Sequence, residues 1–237
     1  MEHATYVTLA RQSGLMREMQ AVANNIANMA TTGYRQEGVI FSEFVRRIDG
    51  AEPLSMATAN VRNTSFAQGE IGQTGAPFDL AIEGEGYFLI ETPAGERLTR
   101  AGAFSPNAAG ELATPDGHRL LDAGGAPIFV PPGAAGVTIA ADGTLSADGR
   151  PLARIGLWTP VDRTDLRRED GVMFRAESGV QPGAPGRILQ GYLEASNVDP
   201  IGEVARMVAV QRAYEMGQSF LEAEHERIRS ALRTFVK

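Results

Sequence analysis

Glu83 and Glu85 are the residues whose type and spacing first suggest chemistry, since two carboxylates in one turn can divide general acid and base duties. They flank Gly84, and Gly84-Glu85-Gly86 leads into Tyr87-Phe88-Leu89-Ile90, so both are expected at a solvated strand-to-turn junction. The run from Asp142 to Gly149 offers oxygen ligands of the kind calcium takes. It lacks the Asp or Asn at the third and fifth positions, the Gly at the sixth and the Glu at the twelfth of an EF-hand loop; two hairpin turns account for it. Gly84-Glu85-Gly86 is no phosphate-binding fingerprint, because the third Gly is missing and a strand follows instead of a helix. Asn63-Thr64-Ser65 matches a glycosylation sequon, a frequent coincidence, and no Ser sits in a Gly-x-Ser-x-Gly elbow. The chain has no Cys, and His3, His118 and His225 lie far apart, so thiolate zinc sites and cysteine nucleophiles drop out. No catalytic, cofactor-binding or metal-ligating residue is assigned, no cofactor is expected, and the chain is read as a non-enzyme.

The elements around these positions follow a plan unusual for an enzyme. The 237 residues, 43% hydrophobic, carry 22 basic and 29 acidic side chains for a net charge of −7. That composition is ordinary for a globular protein, and its acidic balance argues against a general nucleic-acid binder, which needs a basic face to displace counterions. No stretch approaches 18 consecutive apolar residues, so no membrane-spanning helix is expected. The first residues lack the basic-then-apolar pattern of a cleaved signal peptide. Residues 1–32 and 203–237 contain no Pro and one Gly each, Gly14 and Gly217, so nearly all of the 27 glycines and all 13 prolines lie between. Gly and Pro punctuate turns and break helices, which predicts an α+β fold: long N- and C-terminal helices with an inserted, mainly antiparallel β-domain. The expected organisation is a helix over 1–33, an irregular connector over 34–66 with a short helix around Phe41 to Arg47, a β-domain over 67–190, and a C-terminal motif and long helix over 191–237. Within the β-domain, Phe88, Ile90, Phe104, Ile128 and Val130 predict a core of its own, and Asp116-Gly117, Asp142-Gly143 and Asp148-Gly149 predict hairpin-type turns.

Both helices show seams. Leu15, Met19, Val22, Ile26 and Met29 follow at spacings of 4, 3, 4 and 3, a rhythm that suits packing on another helix and equally an amphipathic helix on its own domain's core. Thr31-Thr32-Gly33 supplies a stop, with Gly33 suited to the left-handed residue past a helix end. In the second helix Met207, Val210, Tyr214, Gly217, Leu221, Glu224, Ile228, Ala231 and Phe235 alternate spacings of 3 and 4 over four heptads. Asp199-Pro200 makes its entry, Asp as cap and Pro in the first turn. A helix this long with a sustained seam is expected to find partners in an assembly. An isolated one leaves its seam bare, so the ends of the isolated monomer are expected to be largely disordered and to become helical only on assembly.

Ala23-Asn24-Asn25-Ile26-Ala27-Asn28-Met29-Ala30-Thr31-Thr32-Gly33-Tyr34-Arg35 resembles the N-terminal signature of the bacterial flagellar rod and hook proteins. Gln190-Gly191-Tyr192-Leu193-Glu194-Ala195-Ser196-Asn197-Val198-Asp199, followed by Gln211-Arg212-Ala213-Tyr214-Glu215, is similar to that family's C-terminal motif. Asp79-Leu80-Ala81-Ile82-Glu83-Gly84-Glu85-Gly86-Tyr87-Phe88 and Thr99-Arg100-Ala101-Gly102-Ala103-Phe104 are similar to its β-domain. The compact length and the opening Thr8 to Gln20 look most like a proximal rod subunit, with the distal rod protein as the alternative; the hook protein normally carries a larger central region. The resemblance implies a structural subunit of the basal-body rod, the drive shaft crossing the periplasm, exported by the flagellar type III apparatus. Its terminal helices would form a coiled coil in the inner layer of the tube, its β-domain would sit outside, and its partners would be other rod proteins and itself. It also gives Asn24, Asn25 and Asn28 a reading as amides that fix register between neighbours, against the plain alternative of a solvated helix face. Two other classes stay open. A wall-degrading hydrolase would need the carboxylate pair or metal site not found above; a binding module clasping an export chaperone would form a complex without joining a helical assembly. The assembly interface is assigned to Leu15, Met19, Val22, Asn24, Asn25, Ile26, Asn28, Met29, Met207, Val210, Tyr214, Leu221, Ile228 and Phe235.

Overall fold

A computed structural model describes residues 2–46, 54–134 and 136–235, and the chain divides into two compact units. The first draws on Met1–Met29, Gln36–Ser65 and Val198–Lys237; the second on Ala30–Arg35 and Phe66–Asn197. Together they give the α+β fold with two long helices and a mostly antiparallel β-domain.

In the first unit, α1 (Glu2–Ala27) and α2 (Pro200–Phe235) run antiparallel. Gln12 Nε2 donates to the Tyr214 carbonyl at 2.8 Å, and Arg206 Nε donates to Glu18 Oε1 at 2.9 Å. The entry of α2 is capped as its sequence implies: Asp199 Oδ1 accepts from the Ile201 N–H at 3.1 Å, and Glu203 stands in the first turn. With 36 residues at 1.5 Å each, α2 is about 54 Å long. Residues 36–65 depart from the expected connector and short helix. They form a hairpin of β1 (Glu37–Arg46) and β2 (Leu54–Thr64), paired from Glu37↔Thr64 to Arg46↔Leu54 with a register shift between Ile40 and Ser42. Val39, Ile40, Phe41, Phe44 and Val45 are β-branched and aromatic residues that favour an extended backbone over a helix. Their partners lie between 10 residues on, for Val45 with Ser55, and 23, for Val39 with Arg62, beyond the reach of local pattern. Arg47, the end of the expected helix, lies outside the described residues.

The second unit is built on a seven-stranded antiparallel sheet in the order Leu166–Glu169, Met173–Ala176, β6, β5, Arg119–Leu120, Leu112–Ala113, Ser105–Pro106, where β5 is Phe88–Thr92 and β6 Gly95–Thr99. Here β3 (Ile71–Gln73) pairs with Tyr192–Glu194, and β4 (Leu80–Glu83) with Arg187–Gln190, so the last strands of the unit close onto its first. Successive side chains of a strand point to opposite faces. On β5, Phe88 and Ile90 enter one core with Leu80, Leu112 and Ile128, while Leu89 enters another with Leu98, Trp158 and Phe174. A strand buried on both faces reads as an unbroken apolar run, which is what Tyr87 to Ile90 presents. Phe104 meets Phe88 edge-on with ring centroids 5.3 Å apart, and Ile128 and Val130 belong to the same core.

Candidate assembly interface

The helical pair brings together much of the predicted seam. Leu15 and Val22 of α1 and Val210 of α2 are buried, and Met19, Ile26, Met207, Tyr214 and Leu221 are half-buried. Two positions stay outside it: Met29 lies beyond the end of α1 and is exposed, and Ile228 is 49% exposed. The side chain of Phe235 lies outside the described residues. The opposed pairs Gln12–Tyr214 and Glu18–Arg206 set the register. By that register Glu2 falls opposite about residue 224, and α2 runs on for about three more turns at 3.6 residues per turn.

The three asparagines separate by role. Asn25 is fully buried: its Nδ2 donates to the Glu37 carbonyl at 2.7 Å and to Glu203 Oε2 at 3.2 Å, and its Oδ1 accepts from the Glu37 N–H at 2.9 Å. One carboxamide thus pairs with a strand backbone as a neighbouring strand would, and joins α1, β1 and α2. Gln36 Nε2 donates to the other oxygen of Glu203 at 2.6 Å. Asn28 Nδ2 bonds the Asn24 carbonyl at 2.8 Å, closing the last turn of α1, while Asn24 is exposed. Of the three, Asn25 makes the buried contacts that join three elements, and its partners Glu37 and Glu203 were not legible from α1 because they lie in two other elements, β1 and α2.

Gly33 also has a different role from the expected helix stop. Helix α1 ends at Ala27, six residues earlier. Gly33 has φ +70°, and a Cβ there would stand 2.4 Å from the backbone of Arg100 and Ala101. The glycine is needed so that the segment Ala30–Arg35 can lie against the β-unit. Its N–H donates to the Glu194 carbonyl at 2.8 Å.

Beside it lies an ion cluster that sequence reasoning missed. Glu194 Oε1 lies 2.6 Å from Arg35 Nη2 and accepts from the Gly69 N–H at 3.1 Å; its Oε2 lies 3.3 Å from Arg100 Nη1. The three side chains are 1%, 2% and 6% exposed for Glu194, Arg35 and Arg100. Arg35 Nη1 also donates to the Ala67 carbonyl, and Arg100 to the carbonyls of Ile82 and Gly84. Burial lowers the pKa of the Arg100 guanidinium, and Glu194 opposes that shift. Around the cluster, Arg168 lies over the rings of Tyr34 and Phe174 at 4.5 and 4.8 Å and donates to the Arg35 carbonyl. Arg35, Arg100 and Glu194 each belong to one of the separate motifs Ala23–Arg35, Thr99–Phe104 and Gln190–Asp199. A charge inside the run Tyr192-Leu193-Glu194-Ala195 was the available signal, since a buried carboxylate needs a cation.

The acidic positions considered for chemistry diverge. Glu83 pairs with Arg187 and Glu85 with Arg163, and in each case the hydrogen bond from the arginine lowers the carboxyl pKa. Asp142 accepts from the N–H and hydroxyl of Thr144, the geometry of a turn, which likewise lowers its pKa.

Three family descriptions match along the chain: flagella basal body rod protein over residues 9–35, the flagellar hook protein FlgE/F/G D1 domain over 81–147, and the flagellar basal body rod FlgEFG protein C-terminal region over 189–234. The flagellar basal-body rod protein FlgF of Caulobacter vibrioides is 38% identical over 100% of this chain and 99% of its own length. FlgF of Mesorhizobium japonicum is 38% identical over 91% of this chain and 90% of its own. The rod protein FlgG of Agrobacterium fabrum is 33% identical over 88% and 90%. The three motifs that meet at the Arg35–Glu194–Arg100 cluster fall at or within the matched regions, and likeness of this extent over the whole chain means that the chain belongs to the flagellar basal-body rod protein family, in which it is most like FlgF.

Proposed function

We propose that the chain is a subunit of the proximal rod, assembled helically through α1 and α2 into the shaft that transmits torque. The observation that carries this reading is the helical pair itself. Its seam residues through Leu221 face α1, yet the same heptad continues through Ile228 where α1 no longer covers it. A coiled coil that outruns its partner within the chain is completed by neighbouring subunits. The residues assigned from the seam, with Asn25 holding the hairpin to the pair, then form the interface, and the β-unit supplies a folded body of its own. Export through the flagellar type III apparatus and a place in the periplasmic rod follow from the same reading. The similarity to FlgG favours one alternative, a distal rod subunit. A density map of purified basal bodies tests both. Density for this chain at the proximal end, with its terminal helices lining the inner layer, is expected. Density at the distal end supports the alternative, and absence from the basal body overturns the assembly role.

A further inference from the structure

Among the described residues of the helical unit, two of the open apolar surfaces differ in kind. One is a groove of about 340 Å³ along the α1–α2 junction, walled by Val7, Leu15, Met216 and Phe220, with Gln12 and Gly217 at its floor. Gln12 is buried; a Cβ on Gly217 would come within 2.3 Å of its Nε2, so the glycine makes room for the bond to Tyr214. Gln12 Oε1 has no hydrogen-bond partner among the described residues. The other surface is a ridge on the first turns of α2, where Ile201 is 83% exposed and Val204 and Val208 follow at helical spacing, also exposed. At 100° per residue the ridge faces about 140° away from the side of α2 that lines the groove.

We infer that the ridge Ile201–Val204–Val208 of one copy seats in the Val7–Leu15–Met216–Phe220 groove of the next, a repeated head-to-tail contact between copies of this chain. This deepens the rod reading and rests on it. A second copy is the fitting occupant for three reasons. Two unlike apolar patches on one chain are both covered when a single contact repeats, whereas a two-fold contact between like patches leaves one bare. The groove is continuous with the established α1–α2 packing, which shares Leu15 and Gln12 with it. Charge also matches: Arg11 lines the groove, and Glu215 lies in line with the ridge residues on α2. A polar donor entering with the ridge would satisfy Gln12 Oε1, which otherwise carries the cost of a buried unpaired acceptor.

The lack of native cysteine makes the test clean. Chains carrying V204C, M216C or both are built into basal bodies in place of the wild type and treated with a short bis-maleimide. The two positions are twelve residues apart on one helix, about 18 Å, and on different sides of it, so the linker cannot join them within a chain. The double variant is expected to give covalent dimers and larger multiples of the chain, and each single variant only monomer. Dimers from either single variant would mean like patches meet and would overturn the proposal. So would a cross-linked product whose mass is not a multiple of this chain, or no product from basal bodies that contain the double variant; both leave the rod reading standing. Loss of the wild-type chain from basal bodies overturns both. As a second measurement, V204D and M216D are expected to keep the wild-type circular dichroism and melting but to disappear from basal bodies. Incorporation at the wild-type level overturns the proposal whatever the cross-linker shows.

Discussion

The helical unit and the β-unit handle apolar surface in opposite ways. In the β-unit, Phe88, Leu89, Ile90, Leu98, Leu120 and Phe174 are buried around β5 and its neighbours. In the helical unit, Tyr6, Leu9, Met16, Ile201, Met216 and Leu232 stay exposed although its helices are paired. Charge divides the same way: the β-unit segments hold 17 acidic and 11 basic residues, the helical ones 12 and 11. The strongly acidic unit repels its copies, while the nearly neutral one does not. One unit encloses two apolar cores within its sheet; the other leaves much of the apolar surface of its helices exposed.

That contrast is broken most sharply at Glu194. Glu194→Leu leaves Arg35 and Arg100 buried without their anion, and removing one partner of a buried ion pair costs roughly 3–5 kcal/mol. Urea melting should show the β-unit transition moving far down or vanishing, and a shift worth under 1 kcal/mol would mean the cluster is incidental. The same reasoning applies to a fragment of residues 67–190. It contains the whole apolar core but neither Arg35 nor Glu194, and it leaves β3 without the Tyr192–Glu194 strand. It should melt without cooperativity, whereas a 30–197 chain with 36–65 replaced by a linker should melt sharply.

Asn25→Ala probes the helical unit in the same manner. Its hydrogen bonds include two to the buried backbone of Glu37 and one to Glu203, so a loss of about 1–3 kcal/mol is expected. Hydrogen exchange should localise the loosening to α1, β1 and the start of α2. A uniform effect over the β-unit would contradict the separation into two units.

The overhang of α2 gives a split result. Ile228→Asp should change the free chain's stability by less than about 0.5 kcal/mol, because that side chain is half exposed. It should still abolish motility if a neighbour covers the seam there. Glu222→Ala, on the exposed side of the helix, should be silent in both measurements. Equal motility of the two variants would place Ile228 outside the interface.

The smallest effects lie at Glu83 and Glu85. Their carboxyl pKa values are lowered by Arg187 and Arg163, so each pairing favours the folded state above the ordinary glutamate pKa of about 4.3 and stops doing so as pH falls through the lowered value. Both groups are at the surface, where such pairs contribute little. Glu83→Gln and Glu85→Gln should melt slightly below the wild type near neutrality and together with it in acid. A gap that widens in acid would reverse the sign argued here.

What could be read beforehand was local. The Pro-free ends with a single Gly each marked both long helices, Asp199-Pro200 marked the start of α2, and the unbroken run Tyr87 to Ile90 marked a strand buried on two faces. The hairpin over 37–64 was missed because Val39 to Val45 find their partners only across a wide gap, and because Asn25 anchors Glu37 from another element. Gly33 was assigned to a helix stop on local grounds, when its φ and lack of a side chain answer to Arg100 and Ala101. The ion cluster was missed for the same reason. Each of its members sat inside a recognisable motif, but nothing in one motif shows which charge of another it meets.

The cluster also sets an order in time. Synthesis at about 5–20 residues per second separates Arg35 from Glu194, some 160 residues later, by roughly 8–30 s. Until then each arginine, once made, keeps its water shell, since burying it without the carboxylate would be costly. The strands Arg187–Gln190 and Tyr192–Glu194, which close the unit onto β4 and β3, arrive together with Glu194. Closure of the β-unit therefore waits until Glu194 has been made, and then needs only a few residues.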